Sequence, residues 1–210
     1  AHDSHTGALV SLLKKNAESP IPDFQKPKVV FTIHNLANQG KWNAEEIDAT
    51  FGPESNSLFT RFGGDYNFIA EGIQKSDWVT TVSPTYAKEI LTKSYGNGLE
   101  NILLERKARL KGILNGIDTE FFNPETDQKI FENFSLRTIE KKGINKEALG
   151  QAIGMSMGDA PLFGLVSRLT EQKGIDIIIR ALKMFAGKHD ARFIFLGSGD
   201  RKYEEQLLDL

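Results

Sequence analysis

Short apolar runs alternate along the chain with longer stretches in which apolar residues recur every three or four positions. Five short runs read as strands: KVVFTI (28–33), WVTTV (78–82), KGIL (111–114), LFGLVS (162–167) and RFIFLG (192–197). Each is almost continuously apolar, the pattern of parallel strands buried on both faces. Helical periodicity is read in NFIAEGIQKS (67–76), SPTYAKEILTK (83–93), GLENILLERKARL (98–110), NKEALGQAIGM (145–155) and GIDIIIRALKMFAG (174–187). In the second of these Ser83 is the expected N-cap and Pro84 the first helical residue. In the last, Ile175, Ile178, Ile179 and Leu182 form a core stripe. A further helix, TGALVSLLKKN (6–16), opens the chain with Thr6 or Asp3 as its cap, and the amphipathic RKYEEQLLDL closes it.

Strands alternating with helices predict βαβ units, an α/β fold with open parallel sheets. The stretch NGIDTEFFNPETDQ (115–128) has turn residues and Pro124 but no period, so the predicted division is 1–120 and 121–210. No strand pattern precedes the first helix, and the last amphipathic pattern ceases at Leu210. A piece of a longer chain is expected.

Composition narrows the function classes. With 40% hydrophobic and 26% charged residues and a formal net charge of -2, neither nucleic acid nor an anionic membrane is the expected partner. No apolar run approaches the roughly 20 residues needed to span a bilayer. Cysteine is absent, which excludes disulfides and thiolate metal sites and permits a reducing compartment. The N-terminal AHDSHTGALV carries no basic region or cleavage signature, so the chain is not expected to be secreted.

In open parallel sheets ligands sit beyond the carboxyl ends of the strands. Polar or glycine chemistry follows every predicted strand: His34 and Asn35, then Ser83-Pro84, Asn115-Gly116, Arg168 with Lys173, and Gly197-Ser198-Gly199-Asp200. The last two groups suit an anion. Two cations flank one helix start, and a glycine turn leads into another, where free amides and the helix dipole attract phosphate. Together they read as a diphosphate site. Each group has a plainer reading too. GSGD lacks the third glycine of a dinucleotide fingerprint, Arg168 and Lys173 could be solvated loop charges, and His34 could cap the next turn. His2 and His5 are spaced like a metal pair without a third ligand.

Taken in order, FTIHNLANQG, TTVSPTYAKEI, YGNGLE, GILNGID, NPETD and FGLVSRLTEQKG closely resemble the bacterial glycogen synthases and plant starch synthases. AHDSHTG is similar to that family's HAHDWHTG, and the likeness extends to FLGSGD, essentially the whole chain. The resemblance implies a two-domain B-type glycosyltransferase fold with its active site in the cleft between Rossmann-like domains. Residues 1–120 would be the later part of the acceptor-side domain. Residues 121–210 would be the linker and the start of the nucleotide-sugar domain.

Residue by residue, the resemblance puts His34 close to the transferred glucose, with Asp3, His5 and Asn35 on the glucan side and Asn115 lining the cleft. Arg168 and Lys173 would hold the diphosphate of ADP-glucose or UDP-glucose, and Gly197 and Gly199 would form the nucleotide-side turn. The implied reaction extends an α-1,4-glucan with retention, without metal or cofactor beyond the donor, in bacterial cytoplasm or plastid stroma.

Some features depart from the family. Ser4 stands where the family usually has Trp, and Asn38 where it has Tyr. The family's lysine-glycine-glycine loop falls before residue 1 and its paired glutamates after residue 210. Glu46/Glu54 and Glu132/Glu140 show the glutamate spacing but precede Arg168, so they read as coincidences. A small-acceptor transferase and a catalytically silent carbohydrate- or nucleotide-binding module are the other readings.

Overall fold

The computed structural model describes residues 1–15, 27–52, 54–185 and 187–210. The chain separates into two compact units, Ala1–Gly116 and Ile117–Leu210. The break lies four residues before the predicted one, directly behind the last strand of the first unit.

Unit 1 begins with α1 (Asp3–Lys15), β1 (Val30–Ile33) and the short β2 (Lys41–Trp42). Then come α2 (Ala44–Phe51), α3 (Ser55–Leu58), β3 (Arg61–Phe62), β4 (Asp65–Asn67) and α4 (Phe68–Lys75). It ends with β5 (Trp78–Thr81), α5 (Pro84–Glu89), α6 (Glu100–Glu105) and β6 (Leu110–Gly112). The main sheet is parallel in the order β1-β5-β6, with Phe31 opposite Val79 and Thr80 opposite Lys111. His2 bridges in parallel to Thr32, and the Thr32 amide donates to the Ala1 carbonyl at 2.9 Å. The first residues therefore pair along β1 as a strand would, a feature absent from the sequence reading.

Helices cover the sheet closely. Phe31, Ile33, Ile69, Ile73, Val79 and Leu103 are fully buried in one core, each worth roughly 1.5–3 kcal/mol of burial or less for Val. Two glycines set the approach. A Cβ on Gly7 would lie 1.8 Å from the Phe68 carbonyl oxygen, and one on Gly72 would lie 2.3 Å from the Phe31 ring, so α1 meets α4, and α4 meets β1, through bare backbone. Between them the fully buried Glu71 accepts from the Ser11 hydroxyl and the Thr60 amide and pairs with Lys75 at 2.8 Å. The charge is tolerated because its oxygens are partnered.

Several expectations need correction. The third strand is Leu110–Gly112 rather than 111–114, and Ile113 and Leu114 are exposed. The helix expected over 83–93 keeps its Ser83 cap but ends at Glu89, where hydrogen bonds tighten from i−4 to i−3 and the Thr92 hydroxyl takes the Glu89 carbonyl. The small antiparallel sheet β2-β4-β3 and helices α2 and α3 were not foreseen. Asp3 begins α1 but turns its carboxylate elsewhere, and the expected last residue of that helix, Asn16, lies outside the described residues.

Unit 2 holds α7 (Lys142–Ile153), β7 (Leu162–Val166), α8 (Ile175–Phe185), β8 (Arg192–Leu196) and α9 (Arg201–Leu208). The expected end of α8 includes Ala186, which lies outside the described residues. Strands β7 and β8 pair in parallel, Leu162 opposite Arg192 through Val166 opposite Leu196. Leu169, Ile175, Ile179 and Tyr203 form the core. Contrary to the reading of strands buried on both faces, Val166 is 79% and Leu196 65% exposed. Among the described residues no further strand continues this layer, so these side chains face out.

The end of α1 is tied to the entry of β5 by Asp77. Its Oδ2 lies 2.5 Å from Lys14 Nζ and accepts the Val29 amide at 2.7 Å. The Lys14 hydrogen bond, then that of Val29, lowers the carboxyl from 3.8 to about 2. A depressed carboxyl stabilises the fold above its unfolded value and loses that contribution as pH falls through the folded one. Urea denaturation should therefore find Asp77→Asn less stable than the parent at pH 7, with the difference closing between pH 3.8 and about 2.

Candidate functional site

Strand β1 ends at Ile33 and delivers an exposed His34 and a half-buried Asn35. The segment behind them is pinned along its length. Asp3 Oδ1 accepts the His34 amide at 2.7 Å and the Asn35 amide at 3.4 Å. Asn35 Oδ1 takes the Ala37 amide, and the Leu36 amide donates to the Tyr86 hydroxyl. Gln39, buried, donates to the Asn97 carbonyl at 2.8 Å and accepts from Asn67 Nδ2 at 2.7 Å. Gly40 adopts a φ of 58°, and a Cβ there would lie 2.6 Å from Ser4 Cβ.

Asp3 has a φ of 51°. For a residue other than glycine this left-handed conformation costs about 1 kcal/mol or more. It aims the carboxylate at two main-chain amides, which offset the cost. Asp3, His34 and Asn35 are thus assembled into one group. Among the described residues no side-chain hydrogen bond joins His5 to it. It lines a hollow of about 370 Å³ with Ser4, Gly40, Trp42, Phe51 and Phe68.

Two residues here escaped the sequence reading. His2 Nδ1 lies 2.9 Å from His34 Nε2, the rings 5.2 Å apart and tilted by 31°. Trp42 is 47% exposed in the hollow that Ser4 borders. The signal for Trp42 was a single aromatic in the polar stretch QGKWN. His2 gave no signal beyond its spacing from His5.

Asn115 is exposed just past β6, after the last ladder bond, from the Ile113 amide to the Thr81 carbonyl at 2.8 Å. It lies at the carboxyl end of the unit 1 sheet.

In unit 2 the chain leaves β7 through Ser167 and Arg168 and enters a short 3₁₀ turn, Glu171–Lys173, closed by Gly174 at φ 71° before α8 begins. Arg168 and Lys173 are exposed. Among the described residues neither side chain is engaged in an ion pair, and the nearby Asp176 is taken by Arg180 at 3.6 Å. The turn after β8 packs on this one, with the Leu169 amide donating to the Ser198 carbonyl and the Asp200 amide to the Leu169 carbonyl. A Cβ at Gly197 would lie 1.8 Å from the Ser167 carbonyl oxygen, and one at Gly199 2.3 Å from that of Leu169. Both glycines therefore have a packing role. The Gly199 amide donates to Glu204 Oε1 at 2.8 Å, so any anion there must displace a carboxylate.

One member of each Glu-x7-Glu pair has a structural use. Glu46 closes a capping box with Asn43, and Glu132 pairs with Lys141 at 2.7 Å. Among the described residues no cluster of three metal-ligating side chains occurs, and no helix is long and apolar enough to cross a membrane.

Parallel α/β units with their polar side chains gathered beyond the strand ends define a Rossmann-like, ligand-handling class of protein. The catalytic domain of starch synthase IV from Arabidopsis thaliana, solved with ADP and acarbose, matches 99% of this chain and 43% of its own length, with a TM-score of 0.84 and 31% identity. Its B-type glycosyltransferase fold is the one to which this chain contributes a part. The sequence profile of the starch synthase catalytic domain matches residues 1–105, and the chain belongs to that family. The glycogen synthase of Fervidobacterium nodosum is 43% identical over 97% of this chain and 42% of its own length. That of Thermosipho africanus is 42% identical over 100% of the chain and 43% of its own length. The chain thus spans less than half of these relatives.

Because Asp3 holds the loop through its carboxylate oxygen, Asp3→Ala should cost about 1–3 kcal/mol, whereas Asp3→Asn, which keeps an oxygen acceptor, should cost less. Amide exchange should quicken at His34 and Asn35 in the alanine variant. Unchanged protection there would show that the loop is held by its other contacts.

Proposed function

We propose that the full-length protein carrying this chain is a retaining glucosyltransferase that extends α-1,4-glucan, glycogen or starch, from a nucleotide-diphosphate glucose. One observation carries the reading within this family: two exposed cations, Arg168 and Lys173, without an ion pair among the described residues, stand at the end of a parallel strand beside a helix start. As the bond between glucose C1 and the diphosphate breaks, negative charge collects on the leaving phosphate. Fixed cations stabilise that charge more in the transition state than in the ground state. The charge requirement is met by side chains of the protein, so the proposal includes no cofactor.

In this reading unit 2 holds the donor, with Gly197 and Gly199 bringing the nucleotide-side turn close. Unit 1 handles the sugar and the acceptor. His34 is placed against the transferred glucose, Asn35 and Asp3 shape the loop behind it, and His5 with Trp42 offers an acceptor surface. Trp42 supports a glucan acceptor despite Ser4 and Asn38, because an exposed indole gives the broad apolar face that a sugar ring packs on. The ADP bound to the Arabidopsis relative favours ADP-glucose over UDP-glucose as donor. The bacterial relatives support a cytoplasmic setting.

Transfer of labelled glucose to glycogen by the full-length polypeptide tests the reading. Arg168→Ala and Lys173→Ala should each lower kcat by roughly 10²- to 10³-fold, the scale for losing one stabiliser of transition-state charge. Because both act on one leaving group, the double variant should lose less than the product of the two. A rise in donor KM at unchanged kcat would make them ground-state binders instead. Absence of transfer to glycogen from either donor by the parent would favour the small-acceptor transferase or the silent binding module.

A further inference from the structure

We infer that His2 is a positioning residue for His34, fixing its imidazole so that Nδ1 is the ring nitrogen left for a ligand. The inference rests on the glucosyltransferase reading for its functional consequence, and on geometry for the contact itself.

Both main chains are already immobile where the rings leave them. His34 is held at its amide by Asp3 Oδ1 at 2.7 Å. His2 is held by its parallel bridge to Thr32, by its own amide donating to Thr6 Oγ1 at 2.6 Å, and by the Thr6 hydroxyl donating to its carbonyl at 2.9 Å. What remains free is the rotation of two exposed rings, and the 2.9 Å contact between His2 Nδ1 and His34 Nε2 removes it. Such a contact needs a hydrogen on one of the two facing nitrogens and a lone pair on the other. The pair therefore couples the tautomers of the two rings, and whichever ring donates, His34 Nε2 is engaged and Nδ1 is the nitrogen left open.

Among the described residues no other side chain hydrogen-bonds either ring. Without His2, an exposed His34 ring would sample its rotamers within nanoseconds and present either nitrogen. Misplacement of a reacting-site group by about 1 Å can cost on the order of 10²-fold in rate. His2 does not itself need to touch substrate; its effect passes through the orientation of His34.

The test compares His2→Leu with His2→Asn in the full-length protein. The Asn amide stands near the position of imidazole Nδ1 and can donate or accept, whereas Leu can do neither. Ring nitrogens are followed by ¹⁵N-histidine NMR, the His34 signals being assigned from their loss in His34→Asn. The parent should show His34 Nε2 hydrogen-bonded and Nδ1 outside that bond. In His2→Leu those signals should move to tautomer-averaged positions and kcat should fall about 10- to 100-fold with donor KM changed less than twofold, while His2→Asn should recover most of both. Unmoved His34 signals, unchanged kcat in His2→Leu, or an Asn variant no better than the Leu variant would overturn the inference. Should the parent transfer no glucose, the transferase reading fails by itself, and the His34 spectra alone decide whether the pair exists.

Discussion

The first site depends on one carboxylate. Asp3 sits at the start of α1, in a backbone conformation that costs energy, and spends its charge on the amides of His34 and Asn35. This couples the first helix to the end of β1 across about thirty residues of chain. Everything that gives α1 its place supports the coupling: the bare-backbone contact at Gly7, the Ser11 hydroxyl on buried Glu71, and Lys14 on Asp77. A helix free to shift by an ångström would carry Asp3 out of hydrogen-bonding range. The rigidity of the His34 loop is thus inherited from the packing of the helix behind it.

Unit 2 solves a related problem with glycine. The turns that follow β7 and β8 lie against each other so closely that Gly197 and Gly199 leave no room for a Cβ, and backbone hydrogen bonds through Leu169 continue the pairing past the strand ends. That contact brings Arg168 and the start of α9 to one edge of the sheet. The amide at the glycine turn is satisfied by Glu204, while the guanidinium of Arg168 and the ammonium of Lys173 face solvent. The cations, rather than the helix terminus, are therefore the open electrostatic feature of this edge.

The parts legible in the sequence were those with a local cause. Ser83 caps α5, and Ile175 and Ile179 turn inward from α8, each following from chemistry within a few residues. The illegible parts had distant causes. The segment 41–67 is too short in each element to show a period, and its strands pair only because β4 lies between β2 and β3. Thr92 ended α5 early through a hydroxyl that the helical pattern did not weigh.

The sequence by itself determined the alternation of strand and helix, the family, and the residue types that follow each strand, because these rest on short-range propensity and ordered motifs. Only the tertiary structure decided what those residues face. It turned Asp3 from a helix cap into the anchor of the His34 loop, paired His2 with His34, set Trp42 beside Ser4, and gave Gly197 and Gly199 a packing reason. The reason is physical: hydrogen bonds and close approaches act over a few ångströms of space, and the residues that meet there lie thirty to thirty-eight positions apart in a chain whose pattern records only its near neighbours.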